Sequence, residues 1–367
     1  MMGAEESARG VLTINLDALG SNYRRLKQLA GPSEVGGVVK ANGYGLGVKE
    51  VGSCLYAAGC RSFFVAHPNE GVALRATLRD AAIYVLHGLA PGTEKDIADA
   101  KLIPVLNHPG ELARYAAFAL TRDQKLPAAL QIDTGMCRLG FSPAEIGQLD
   151  RDDLDPIDLR LVISHLISAE EADNPLNVVQ RCRFEQQREG LEGTKASLAN
   201  SSGMFLGTDF HYDLCRPGVA LYGVNPTPGK PNPMLPVVTL RAPVLQVHEI
   251  DQPGTVGYGA TYDVAGGSRI ATVPIGYADG YQRAAGEKAT ARIAGEIVPI
   301  AGRVSMDLIS LDISTLPQDS VHPGCMVDLI WGSDGVDRMA DASGTIGYEV
   351  LTRLGTRYAR HYTRSGP

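Results

Sequence analysis

Val35-Gly36-Gly37-Val38-Val39-Lys40 is a short apolar run that ends on a lysine, and Ala41-Asn42-Gly43-Tyr44-Gly45-Leu46-Gly47 follows it. The first part reads as a buried strand and the second as a glycine-rich loop. Beyond the loop, Val48–Cys60 carries Val48, Val51, Leu55 and Ala58 on one face, at the spacing of a helix. Strand, loop and helix make one βα unit, and the pattern recurs. Further candidate strands are Ser62–His67, Ala82–His87, Ile103–Asn107, Ala129–Asp133, Leu159–His165, Lys195–Asn200 and Leu214–Tyr222. Helical patterns between them cover Gly71–Leu78, Glu94–Ala100, Gly110–Leu120, Pro143–Leu149 and Leu176–Gly190. Strands that are apolar throughout belong to parallel sheets covered on both faces. Eight such units predict an α/β fold, a (β/α)8 TIM-type barrel whose site lies at the C-terminal strand ends. An open doubly wound sheet is the alternative, but no Gly-x-Gly-x-x-Gly follows the first strand.

Outward from the barrel the pattern changes. Residues 226–236, PTPGKPNPMLP, hold five prolines and read as a linker. After it come short β-type runs such as VVTLRAPVLQVHEI, TVGYGATY and GCMVDLIW, which predict a mostly antiparallel domain. A last helix from about Thr345 is expected to turn Ile346, Val350, Leu351, Leu354 and Tyr358 to one face. The expected domains are therefore a barrel over 12–230 and a β domain over 237–367, with residues 1–11 as an arm that packs with the β domain.

The chain has 367 residues, 44% hydrophobic and 20% charged, with a net charge of −7. That length buries a sizeable core without disulfide or metal staples. The apolar fraction excludes disorder and fibrous folds, and a pI near 5.7 argues against nucleic-acid binding. The start, MMGAEESARG, lacks the basic and apolar regions of a signal peptide. No apolar run approaches the roughly 18–20 residues of a membrane span. Six cysteines (54, 60, 137, 182, 215, 325) form no Cys-x-x-Cys pair and read as reduced, buried thiols. A cytoplasmic globular protein with no membrane partner is expected.

The chemistry starts at Lys40. A lysine desolvated at the end of a buried strand has a lowered pKa, which makes its neutral amine a nucleophile. The glycines beyond it allow close approach of backbone to a ligand, and the next helix offers its N-terminus to an anion. Alone, the same residues also fit a solvated lysine in a βα loop.

The wider pattern distinguishes the two. VVKANGYGLG (38–47) closely resembles the cofactor-lysine motif of alanine racemases, barrel-fold enzymes of fold type III that use pyridoxal 5′-phosphate. IDTGMCRLGF (132–141) resembles their DTGM-x-RLG motif, and SLANSSG (197–203) their SLANSAG segment. DLCRPGVALYG, GYGATY, IGYADGYQR, GRVSMD and TIGYEV match further motifs in the same order, so the resemblance runs from residue 12 to about 360.

The resemblance implies a role for each matched residue. Lys40 is similar to the Schiff-base lysine, which becomes the base on one face of Cα, and Tyr258 to the opposing base. Proton exchange on both faces needs two separate groups. Tyrosine titrates at about 10, and each unit of lowering takes about 1.4 kcal/mol, which nearby cations must supply. His165 and Arg216 resemble the pair behind that tyrosine, though His165 alone also fits a satisfied core histidine. Arg216 matches the residue that meets the pyridine nitrogen. A guanidinium accepts no proton and gives the ring nitrogen none, so the ring is a weaker electron sink. Tyr44, Ser201, Tyr348 and the amides of Gly218 and Val219 match the phosphate cup. Arg138 resembles the arginine that holds the substrate carboxylate, and the Met306 amide matches a second carboxylate contact. Tyr277 and Asp307 fall where the family narrows its entrance. The implied assembly is a homodimer whose sites are shared between chains.

Two positions depart from the family. Gln131 stands where many members have a lysine whose carbamate orients the arginine, so the glutamine carbonyl or a small anion takes that part. Leu46 replaces the histidine usual in YGHG. Among rivals, a broad-specificity amino-acid racemase or an amino-acid decarboxylase of the same fold type shares the lysine strand, but no decarboxylase C-terminal motif is present. A single-domain protein that binds the cofactor without catalysis has no use for residues 237–367. A metal-dependent barrel hydrolase would need His ligand spacing, and the eight histidines show none.

Overall fold

The computed structural model describes residues 10–364. The chain forms two compact units. One holds Leu19–Leu221 with Asn225–Pro233; the other gathers the N-terminal residues to Ala18, Tyr222–Val224 and everything from Met234.

The first unit is the barrel. Seven parallel strand positions run in chain order: Gly37–Val38, Ser62–Val65, Ala82–Val85, Ile103–Leu106, Leu126–Gln131, Ile157–Ile163 and Lys195–Ser197. Ser62–Val65 and Ile103–Leu106 are buried at every residue, as strands sandwiched between a barrel interior and a helix layer must be. The ring closes through Leu214–Cys215. On one side the Asp213 and Arg216 amides donate to Ala196 and Ala199 carbonyls at 3.1 and 2.9 Å. On the other, Leu214–Cys215 pairs in parallel with Glu34–Val35, and the Gly36 and Val38 amides donate to Cys215 and Pro217. Gly36 interrupts the first strand because it lies under Phe64; a Cβ there would sit 2.7 Å from the ring.

Every expected strand is present in the barrel, but its C-terminal end falls short of the apolar run. Val35–Lys40 ends at Val38, and Leu214–Tyr222 keeps strand geometry only at Leu214–Cys215 before Val219–Tyr222 winds into a 3-10 turn. These ends leave the sheet to build the mouth, where backbone hydrogen bonds go to loops instead of neighbours.

The helix Leu16–Ala30 went unread in the sequence, although Leu16, Leu19, Tyr23, Leu26 and Ala30 recur at helical spacing and all are buried. The Asn15 side chain caps it by accepting from the Ala18 amide at 2.9 Å. Tyr23 donates its hydroxyl to the Val35 carbonyl, fixing the helix to the first barrel strand.

The second unit is mostly antiparallel. Its larger sheet has the order Glu296–Pro299, Thr290–Ile293, Met326–Ile330, Val238–Pro243, Val11–Asn15, Ala359–Thr363. A three-stranded sheet pairs Gln246–Glu249, Arg269–Val273 and Ile309–Asp312. Val11–Asn15 pairs antiparallel with Val238–Pro243 on one side and parallel with Ala359–Thr363 on the other. Most of the arm expected over residues 1–11 lies outside the described residues. The last helix is Gly347–Arg353, preceded by Gly335–Ser343. Val350, Leu351, Leu354 and Tyr358 are buried as expected, but Tyr358 follows the helix and Ile346, at its N-cap, is 57% exposed. Among the described residues no helix is long and apolar enough to cross a membrane. All six cysteines are free; Cys54, Cys60 and Cys215 are buried, whereas Cys137 and Cys182 are exposed, against expectation.

Leu12 lies fully buried in a strand with neighbours on both sides. Leu12→Ala is expected to cost about 2–5 kcal/mol, read as a lowered urea midpoint. An unchanged midpoint would show that this strand contributes little to the unit.

Candidate active site

Lys40 stands at the barrel mouth and opens a turn, one step beyond the strand that was expected to carry it. Ala41, Asn42 and Gly43 have left-handed dihedrals, and Tyr44 also has positive φ, at 53°. Left-handed residues other than glycine cost roughly 1–2 kcal/mol each, so the turn must be held. It is held by Gly43 N–H to Val39 O at 2.8 Å, Gly45 N–H to Ala41 O at 2.7 Å and Gly47 N–H to Asn42 O at 2.8 Å. The Asn42 side chain accepts from Val48, and Ala41 N–H donates to Glu70 Oε1 at 2.7 Å. Backbone strain of this kind belongs at sites where a side chain must be aimed.

The Lys40 amine is pushed below the ordinary lysine range by burial first and by the Arg138 charge second, with Glu70 opposing. Its neutral, nucleophilic form is thereby easier to reach. His165 is pushed down to about 3 by burial and by Arg216, Arg138 and Lys40. It is therefore a neutral imidazole at pH 7, and it does not supply the second cation that the motif reading gave it. Arg216, lowered by burial to about 10, stays charged. Its Nη1 donates to the Ser197 carbonyl at 2.7 Å and to the Ser197 hydroxyl, and its Nη2 to the Ser164 carbonyl. Lys40, Arg138, His165 and Arg216 thus converge on one region of the barrel.

Beside them is a phosphate-sized cradle. Ser201 is buried, and its hydroxyl accepts from the Gly218 and Ala220 amides at 2.9 and 3.2 Å. A Cβ on Gly218 would lie 2.3 Å from the Tyr44 hydroxyl, so only glycine lets that phenol approach. Among the described residues the Val219 amide donates to nothing. Hydroxyls and oriented amides in this arrangement suit a phosphate monoester.

Arg138 sits on a loop shaped by Asp133, whose carboxylate accepts from the Gly135 and Cys137 amides. Among the described residues nothing hydrogen-bonds its guanidinium, leaving it ready for a carboxylate. Gln131 donates its side-chain amide to Leu139 O at 3.0 Å. The glutamine therefore braces the backbone beside Arg138.

The second unit presents Tyr258, Tyr277, Met306 and Asp307 on adjoining turns. Tyr258 lies between the hairpin strands Gly254–Val256 and Tyr262–Val264, in a turn where Gly257, Gly259 and Ala260 have positive φ. Tyr277 and Ala278 donate their amides to Ser305 and Met306 carbonyls, both at 3.0 Å. A Cβ on Gly276 would meet Met306 O at 2.2 Å, which fixes glycine there. Arg357 ties Asp307 to Asp279 at 2.8 and 3.1 Å. Tyr258 is 69% exposed, Met306 53% and Tyr277 41%, and the Met306 amide has no acceptor among the described residues. Tyr348 lies near the start of Gly347–Arg353.

Residues 14–226 match the family model for the alanine racemase N-terminal domain, and residues 237–362 that for its C-terminal domain. The chain belongs to the alanine racemase family. The alanine racemase of Rhodospirillum rubrum is 48% identical over 98% of each chain. A catabolic alanine racemase of Mesorhizobium japonicum is 48% identical over 98% of this chain and 94% of its own. The crystal structure of the Bartonella henselae alanine racemase with covalently bound pyridoxal phosphate superposes with a TM-score of 0.93 at 38% identity, covering 97% of this chain and all of that one. The barrel and antiparallel unit are therefore the family's fold, and this chain is an alanine racemase by family.

Three supports of the site escaped the sequence: Glu70, Ser164 and Ser197. Glu70 closes the pattern His67-Pro68-Asn69-Glu70, which reads as a helix start; Ser197 opens the matched SLANSSG segment without a role of its own, and Ser164 has no signal beyond its strand end.

Gly218→Ala should drive the Tyr44 ring away and weaken pyridoxal phosphate capture about tenfold or more, measured by equilibrium dialysis. Retention of wild-type affinity would remove Tyr44 and Gly218 from the phosphate site.

Proposed function

We propose that this protein interconverts L- and D-alanine with pyridoxal 5′-phosphate, as a cytoplasmic homodimer that uses Lys40 and Tyr258 of the partner subunit as its two bases. The observation that carries this reading is the convergence of Lys40, Arg138 and Arg216 beside the Tyr44–Ser201–Gly218 cradle. When bound, the cofactor supplies an electron sink that makes the Cα proton of alanine acidic.

The residues divide the remaining work. Ser201, Tyr44 and the Gly218 and Val219 amides hold the phosphate, joined by Tyr348, whose assignment rests on TIGYEV alone. Arg216 would meet the pyridine nitrogen; its Nη atoms are spent on Ser197 and Ser164, so the guanidinium stays put and gives up no proton. Arg138 takes the substrate carboxylate, and the Met306 amide adds a second contact. Lys40 takes or returns a proton at Cα on one face, and Tyr258 of the partner subunit does so on the other. Since His165 is neutral, Arg216 is the cation of that pair. Tyr277 and Asp307 narrow the entrance and limit side-chain size. Because Gln131 carries no amine, the placement of Arg138 needs no carbamate.

Incubation with either alanine enantiomer in deuterated solvent is expected to place deuterium at Cα of both without loss of CO2. Release of CO2 would assign the protein to decarboxylation instead.

The shared site has its own check. A two-fold dimer repeats each contact, so mixing Lys40→Ala and Tyr258→Phe chains leaves one intact site per mixed dimer. Activity should reappear on subunit exchange. Its absence despite exchange proven by mass spectrometry would confine each site to one chain.

A further inference from the structure

At two helix starts of the barrel a glutamate reaches past its own cap: Glu111 also bonds the Leu89 backbone, and Glu70 bonds the turn that carries Lys40. Glu70 Oε2 accepts from the Ala66 and His67 amides at 2.8 and 3.1 Å, which completes the cap of the helix Pro68–Arg75. A cap needs no more than this. Glu145, in the capping box of Pro143–Gly147, uses its carboxylate only on neighbouring Ser142. Glu70 spends its second oxygen, Oε1, on the amide of Ala41 at 2.7 Å, 29 residues away in the chain. Ala41 is the residue after Lys40 and the first of the left-handed turn. The Ala41 N–H thus ties the turn to the loop that follows the neighbouring strand Ser62–Val65.

The same carboxylate acts on the amine electrostatically. The charged or titratable groups that interact with Lys40 are Arg138 on the Asp133 loop, His87 after Ala82–Val85, His165 after Ile157–Ile163, and Glu70. His87 in turn meets His67 edge-on, with ring centroids 4.5 Å apart. Of these groups only Glu70 carries negative charge.

We propose that Glu70 is a positioning residue for Lys40: one carboxylate oxygen anchors the turn that aims the amine, and its charge offsets the cations crowded around it. This rests on the reading of Lys40 as the base that bonds the cofactor. Losing the anchor loosens the amine at the proton-transfer step, where kcat is set, and leaves substrate capture by Arg138 alone. Losing the charge lets the amine titrate at lower pH, so the acidic limb of the rate profile moves down.

The test compares holoenzymes of wild type, Glu70→Gln, Glu70→Ala and, as a control for cap loss, Glu145→Gln. Borohydride reduction and peptide mass mapping first show whether Lys40 carries the cofactor; a wild-type enzyme labelled elsewhere overturns the reading of Lys40 itself. With Lys40 labelled, Glu70→Gln should lower kcat about fivefold or more while the alanine KM stays within about twofold. Its acidic limb, and the pH midpoint of the cofactor's visible band without substrate, should both move down by about half a unit. Glu70→Ala should do the same with a larger loss of kcat, and Glu145→Gln should match wild type in every readout. Wild-type kcat and pH midpoints in Glu70→Gln, or a lowered melting temperature as its only change, would reduce Glu70 to a helix cap. Glu70→Gln keeps the side-chain shape, so it decides the matter even if Glu70→Ala does not fold.

Discussion

A lysine amine withdrawn from water beside an arginine is the constraint around which the barrel mouth is arranged. Burial and the Arg138 charge both disfavour the ammonium of Lys40, and a third cation, Arg216, lies deeper still. Such a cluster is stable only if each charge is committed or an anion arrives. Arg216 is committed to two backbone carbonyls, which accept its hydrogen bonds without neutralising it. His165 relieves the crowding by staying neutral. The phosphate cradle adds no further full charge, relying on Ser201, Tyr44 and amides. An acidic protein with a net charge of −7 thus keeps a cationic interior for an anionic cofactor and substrate.

How far this was legible follows from what each signal measures. Apolar runs report burial, and in a parallel barrel burial and strand coincide, so the eight strands could be read directly. They overshoot at Val39–Lys40 and at Val219–Tyr222 because the mouth is buried too, by loops. The left-handed turn at Ala41 and Asn42 could not be read from residue type, since neither is glycine; bonds from Glu70 and Val39 impose it. Helical spacing alone carried Tyr358 into the last helix, but the helix ends at Arg353, where Leu354 leaves helical geometry. Motif words found Tyr258, Tyr277 and Met306, where composition and periodicity would have marked them as core. Their exposure shows that residue type alone would have misplaced them.

The second unit treats those exposed groups differently from the barrel. Close backbone contact at Gly276, the Tyr277–Ser305 and Ala278–Met306 bonds, and the Arg357 bridge hold the turns without burying the side chains they carry. The backbone of these turns is thereby fixed while the side chains stay open to solvent.

The strand Val11–Asn15 has a consequence for biosynthesis. It is synthesised well before both of its partners, Val238–Pro243 and Ala359–Thr363. At typical elongation rates of about 5–20 residues per second, it waits on the order of tens of seconds for the first partner. The second partner, Ala359–Thr363, is made later still. Throughout that interval an apolar segment with both hydrogen-bonding edges open is tethered to a barrel that can already fold. An unpaired edge of this kind recruits other strands. The nascent chain is therefore exposed to misassociation at Val11–Asn15, and a chaperone's protection would count there.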